Sequence, residues 1–157
     1  MSHLIAPETP ARQLAGFIAK FDPAIRKLAR NARAVLRKRL PTAVELVYDN
    51  FQALAIGYCP TERMSDCILS LAIFPRGVSL SFFYGATLPD PHGILEGSGN
   101  QNRFVRLESA ETLLRPDVEA LIAAAIAQAV TPLPETGGGY TVIKSISARQ
   151  RPRSALV

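Results

Sequence analysis

Apolar residues recur at helical spacing from Leu14 onward. Leu14, Phe17, Ile18 and Phe21 fall on one face, and Thr9-Pro10 ahead of them gives an N-cap with proline at the first helical position. This pattern predicts a helix over residues 10–20. Asp22-Pro23 repeats the start signal. Ile25, Leu28, Ala29, Ala32, Val35 and Leu36 then form a second stripe that stops before Pro41, because proline disfavours helical backbone in the residue preceding it.

At Val44 the pattern changes to that of strands. Val44-Glu45-Leu46-Val47-Tyr48, a turn at Asp49-Asn50 and the run from Phe51 to Tyr58 predict one hairpin. Cys67–Phe74, the turn Pro75-Arg76-Gly77 and the run from Val78 to Tyr84 predict a second. There Ser79 and Ser81 alternate with apolar neighbours, so one sheet face should be wetter than the other. Residues 85–102 are rich in glycine, proline and asparagine and read as a long ordered loop, a kind of segment that often carries function. Arg103-Phe104-Val105-Arg106-Leu107 alternates again and is expected to be a short strand with both arginines on one face.

Pro116-Asp117 opens a last helix, expected to end at Thr131-Pro132, with Val118, Leu121, Ile122, Ala125, Ile126 and Ala129 on a narrow face suited to close packing on a sheet. Beyond a Gly137-Gly138-Gly139 hinge, Tyr140–Ser147 has strand composition and is expected to rejoin the domain. The fold class that follows is α+β: two N-terminal helices, a central antiparallel sheet of about five strands over residues 44–107, and a C-terminal helix packed on one sheet face. Leu69, Leu71, Ile73, Leu80, Phe82, Leu121, Ile122 and Ile126 are the expected core.

Length sets the domain count. A chain of 157 residues suits one domain that buries roughly 70% of its unfolded surface, here with a core at about 8–147 and a basic tail at 148–157. The longest strongly apolar stretch, Leu121–Val130, falls far short of the roughly 20 residues that cross a bilayer. Met1-Ser2-His3-Leu4-Ile5 lacks the basic start and continuous apolar core of a secretory signal, so a cytoplasmic location is expected. Cys59 and Cys67 are then reduced thiols, in no redox or zinc spacing, and Cys67 in its apolar run reads as a buried core thiol.

Charge changes the picture more. The net charge is +5, and Arg26, Lys27, Arg30, Arg33, Arg37, Lys38 and Arg39 lie in a stretch between Asp22 and Glu45 that contains no acid. Lys144, Arg149, Arg151 and Arg153 form a second basic cluster. Acidic partners are therefore favoured over cationic ones.

The segment Leu88-Pro89-Asp90-Pro91-His92-Gly93-Ile94-Leu95-Glu96-Gly97-Ser98-Gly99, followed by Arg103–Leu107, resembles the signature of the YdhG-like family of domains of unknown function. The order of helices and strands over most of residues 8–130 is similar as well. The resemblance implies a small α+β fold with a central antiparallel sheet and no agreed activity. Some relatives have been compared in fold with frataxin, an iron-delivery protein. Iron held that way needs clustered carboxylates, whereas the early helices here carry arginines, so iron donation is only a weak carry-over from the resemblance.

Three groups of residues can be weighed as sites. Asp90, His92, Glu96 and Arg103 are the polar residues of the loop, and a histidine with a carboxylate near it can serve acid–base work or bind a metal if the side chains converge. The competing reading, which takes precedence, is a loop lock: Asp90 caps a turn, His92 bonds a backbone carbonyl, and Glu96 pairs with Arg103. Gly97-Ser98-Gly99-Asn100 precedes a strand, whereas phosphate loops feed a helix. Ser79, Ser81 and Ser98 have only His3 and His92 to activate them and no triad signature, which disfavours a hydrolase.

Arg26, Arg30, Arg33 and Arg37 recur along one face of the second helix and can contact phosphates, with Arg149, Arg151 and Arg153 adding to the same field. A solvated helix face is the ordinary alternative and ranks first; the missing acids keep the anion-binding reading alive. No sequence-specific nucleic-acid motif is present. The function expected is a non-enzymatic domain that binds an acidic protein or small anion, with nonspecific nucleic acid as a further partner, and with no cofactor, metal or membrane. The alternative is a metal-handling or unidentified enzymatic role for the Asp90-His92-Glu96 loop.

Overall fold

The computed structural model describes residues 8–155, which form three α-helices and six strands. In chain order these are α1 (Pro10–Ala19), α2 (Pro23–Arg39), β1 (Val44–Asp49), β2 (Leu54–Cys59), β3 (Leu69–Phe74), β4 (Gly77–Phe82), β5 (Arg103–Leu107), α3 (Pro116–Gln128) and β6 (Thr141–Ile146). All three helices begin with proline, whose missing N–H costs nothing there. Thr9 caps α1 by accepting from Arg12 N at 3.2 Å. Asp22 holds the same position before α2 but caps nothing in the helix. Its carboxylate instead accepts from Ser154 Oγ and Ala155 N, so it ties down the other end of the chain.

The sheet order is β5-β4-β3-β2-β1-β6. Strands β1 to β5 form the expected antiparallel meander over residues 44–107. β6 pairs parallel with β1, which makes the sheet mixed and six-stranded. The glycine run before β6 does not act as a hinge at its third member. Gly139 N donates to Pro41 O at 2.8 Å, and a Cβ at Gly139 would lie 2.3 Å from Ala43 O. Only glycine lets the chain come this close to the start of β1.

Leu54, Ile56, Leu69, Leu71, Ile73, Val78, Leu80, Phe82, Val105 and Leu107 project to one side of the sheet. They are buried with Leu14, Ile18, Ala29, Ala32, Leu36, Val118, Leu121, Ile122 and Ala125 of the helices. The expected core residues are all in this cluster, Ile126 at its partly buried margin. Cys59 and Cys67 are buried free thiols in a small satellite core with Val44 and Leu46.

Toward β5 the opposite face carries no helix. Ser70, Ala72, Ser79, Ser81 and Phe104 are only partly buried there, while Phe74 and Arg106 are exposed. Arg103 and Arg106 do not share a face, contrary to the expectation from the sequence, because strand side chains alternate and an odd separation puts them on opposite sides. Val105 and Leu107 turn to the core on the side of Arg103; Arg106 and Phe104 turn to the open face.

Candidate functional site

A charged side chain buried away from water must be paired or hydrogen-bonded within the fold. Glu45 is 3% exposed on β1, yet it faces the helices. Arg33 reaches it from α2 with two parallel hydrogen bonds of 2.9 Å. Tyr58 OH donates to Oε2 at 2.9 Å and Thr141 Oγ1 to Oε1 at 2.8 Å, while Arg37 stands 3.9 Å away. Burial alone would raise the carboxyl's pKa, but the Arg33 pair, Thr141 and Tyr58 outweigh it and hold it below the ordinary range. The Tyr58 phenol is pushed well up, by burial first and then by the Glu45 charge. Every lone pair of this carboxylate is thus taken up within the fold.

The arginine stripe on α2 therefore does not stand as one outer face. Arg33 is spent on Glu45, Arg37 leans toward the same carboxylate, and Arg26 donates to Ala19 O at 3.4 Å. Arg30 alone of the four stays exposed without a hydrogen bond or ion pair among the described residues. The C-terminal cluster divides too. Arg153 is 5% exposed, donates to Asp49 Oδ1 at 3.0 Å and to the Asn50 and Phe51 carbonyls, and lies over the Phe21 ring. The tail read as starting at 148 is thereby attached to the domain through Ala155. Arg149 and Arg151 remain exposed.

The loop residues are not brought together. Asp90 accepts from Ile94 N and Leu95 N, each at 3.0 Å, and so closes its own turn. Glu96 makes a two-way backbone bridge with Phe104, and its carboxylate lies 3.8 Å from Arg106 rather than against Arg103. Arg103 donates to Gly99 O and Asn102 O. His92 is exposed and bonds to no carbonyl among the described residues. His3 lies outside the described residues. Among those described, no group of three or more His, Cys, Asp and Glu is placed to hold a metal ion.

A broad concave surface lies elsewhere, on the open sheet face. A groove of about 990 Å³ runs over β3, β4 and β5, floored by Ala72, Ser79 and Ser81. Phe74 and Phe104 stand in its lining, and Arg76, Arg106 and Arg151 reach it from the β3–β4 turn, from β5 and from the C-terminal segment. Among the described residues, no carboxylate lines it. The short side chains arise from the alternation that puts Leu71, Ile73, Leu80 and Phe82 in the core and leaves Ala and Ser on the other side. Arg151 is positioned by its own N–H, which donates to Phe51 O at 2.9 Å, and its guanidinium lies 5.6 Å from the Phe51 ring centre.

A second cavity of about 420 Å³ lies between the end of α3 and the segment before β3, lined by Asp66, Ile68, Tyr84, Ala125, Gln128 and Thr131 among others. Its polar groups are already paired: Asp66 accepts from Thr61 and Thr131, and Gln128 bonds Tyr84 O and Thr87. The basic C-terminal cluster pointed to Arg151, whereas no local pattern marked Arg76, Arg106, Phe74 and Phe104 as a group. The signal was present in the strand alternation, which puts Phe104, Arg106, Ser79 and Ser81 on one face once the β3–β4 and β4–β5 registers are set.

No protein-family model, no curated protein and no solved structure matches the chain. No helix among the described residues is long and apolar enough to cross a membrane.

Proposed function

We propose that this chain is a YdhG-like domain that acts without catalysis by binding an anionic partner, and that the open sheet face is the binding surface. One observation carries the reading: three arginines from three separate segments reach a single groove that, among the described residues, no carboxylate lines. Fixed positive charge around a concave surface raises the local concentration of anions and speeds their capture. The α2 stripe, by contrast, has given Arg33 to an internal carboxylate. A cytoplasmic setting belongs to this reading, in keeping with two cysteines held as free thiols.

Inorganic polyphosphate, a polyanion without bases, tests it by calorimetric titration. Binding at 50 mM salt should weaken steeply by 200 mM, since released counterions supply much of the free energy. Joint replacement of Arg76, Arg106 and Arg151 by Gln should abolish it, whereas Arg30→Gln should leave it nearly unchanged. Equal losses in both variants would move the surface back to α2, and no binding by the wild type would refute the reading.

A further inference from the structure

We infer that the anion taken by the open face is single-stranded nucleic acid, with Phe74 and Phe104 as stacking surfaces for its bases; this rests on the anion-binding reading above and narrows it. Charge alone would suit any polyanion. The two rings add a demand that phosphate, sulfate and carboxylate chains do not meet. Phe74 is 41% exposed, a large apolar surface left in water beside arginines. Phe104 lies in the same groove, partly covered. Sequence-tolerant binding of single strands combines these parts: a positive groove that follows the backbone, and aromatic side chains on which successive bases stack.

The strand registers set the scale. Phe74 lies opposite Gly77 at one end of β4, and Phe104 opposite Ser81 at the other. Two strand spacings across and four residues along place their Cα atoms roughly 16 Å apart. One base cannot touch both rings, so the ligand is an oligomer rather than a mononucleotide. Arg106 lies opposite Ser79, between these positions, and Arg76 is in the turn next to Phe74. Phosphates linking two stacked bases would meet guanidinium groups there, and the Ser79 and Ser81 hydroxyls beneath can accept or donate to base edges or sugars. The floor of Ala and Ser leaves room for a flat ring system that larger side chains would fill. A duplex keeps its bases stacked inside and offers the rings nothing.

An acid, Glu96, lies beside this array, 3.8 Å from Arg106 with both side chains more than half exposed. Such a pair is weak and is readily exchanged for a phosphate. Glu96→Gln should therefore raise affinity.

The test uses the full chain and fluorescence anisotropy of a labelled ten-residue oligothymidylate at 50 mM salt, with its duplex, inorganic polyphosphate and polyglutamate as competitors. Phe74→Leu and Phe104→Leu keep apolar bulk in place but remove the ring, so the fold survives. Each should lower oligonucleotide affinity about tenfold while polyphosphate affinity stays the same. Three phosphate contacts at about −0.7 each give a slope near −2 in log affinity against log salt. Unchanged oligonucleotide binding in both Phe variants, or a duplex that competes as well as the single strand, would overturn the inference and leave the anion reading standing. Polyglutamate that displaces the oligonucleotide at lower concentration than unlabelled oligothymidylate would assign the face to an acidic protein instead. Failure of oligonucleotide and polyphosphate alike would remove both readings.

Discussion

Arg33 and Glu45 are joined by two hydrogen bonds of 2.9 Å between α2 and β1, and Glu45 has almost no contact with water. Removing the guanidinium leaves a buried carboxylate with only Tyr58, Thr141 and a distant Arg37. Arg33→Ala is expected to cost roughly 3 kcal/mol, in the range for breaking a buried pair. Arg33→Glu should cost more, since it sets a second carboxylate against the first. Arg30→Glu, on the exposed side, should stay within about 0.5 kcal/mol of wild type. Urea midpoints for the three variants check the order.

The same pair sets the response to acid. Glu45 has a folded pKa below its unfolded value, so the unfolded chain binds a proton more readily and stability is fully present above the unfolded pKa. It is lost as pH falls through the unfolded value, about 4.3, toward the folded one. Unfolding free energy measured from pH 6 down to pH 3 should decline. Glu45→Gln should start lower but fall less steeply, and parallel curves would contradict the assignment.

Why the sequence hid this pair is a matter of which faces are covered. In β1, Val44, Leu46 and Tyr48 alternate with Glu45, Val47 and Asp49, a pattern that reads as acids in water. The structure covers both faces: Val44 and Leu46 are buried with Cys59 and Cys67, with Tyr48 partly buried beside them, and Glu45, Val47 and Asp49 are buried on the other side. A parallel β6 and the returning tail close the sheet edge, and neither partner is local to β1. The missing acids of α2 were the legible half of the arrangement. The helices, the meander and the core followed from periodicity and turn residues, which are local signals. Side-chain partners such as Glu96 with Arg106, or Arg153 with Asp49, depend on registers and long-range docking that periodicity does not contain.

Arg153 and Asp49 form the second buried pair, with side chains 3% and 1% exposed. Among the described residues, Asp49 Oδ2 has no hydrogen-bond partner, and Lys20 Nζ lies 3.9 Å from it. Truncation after Ser147 should therefore uncover a carboxylate that the fold cannot satisfy. Arg153→Ala is expected to lower Tm by roughly 10 °C, taking about 3 kcal/mol for the broken pair in a domain of this size. Arg153→Lys should not restore it, because a single ammonium cannot reach Asp49 and the Asn50 and Phe51 carbonyls in the same fork geometry. Differential scanning calorimetry distinguishes the variants.

The thiols should be inert in the native protein. Cys59 has its pKa raised, first by the hydrogen bond with Cys67 and then by burial, so the reactive thiolate does not form at pH 8. Native protein should take up iodoacetamide at both positions at least about a hundredfold more slowly than urea-unfolded protein, because labelling must await opening of the fold. Prompt labelling of native protein, read by mass spectrometry, would show that the satellite core is open.

The signature loop separates a lock from a metal site. Asp90 holds its turn by accepting from two backbone amides, and His92 stands outside that arrangement. If the loop is a structural lock, Asp90→Ala should cost about 1–2 kcal/mol, as for loss of a side chain that satisfies backbone donors. His92→Ala should leave stability unchanged. Calorimetric titration with zinc and with ferrous iron should then give no stoichiometric heat in the wild type, because Asp90 already spends its oxygens and Glu96 faces Arg106. A submicromolar, one-to-one response that His92→Ala removes would mean that the loop rearranges to bring the three residues together. Anion binding at the open sheet face, as proposed, would then be only part of what this domain does.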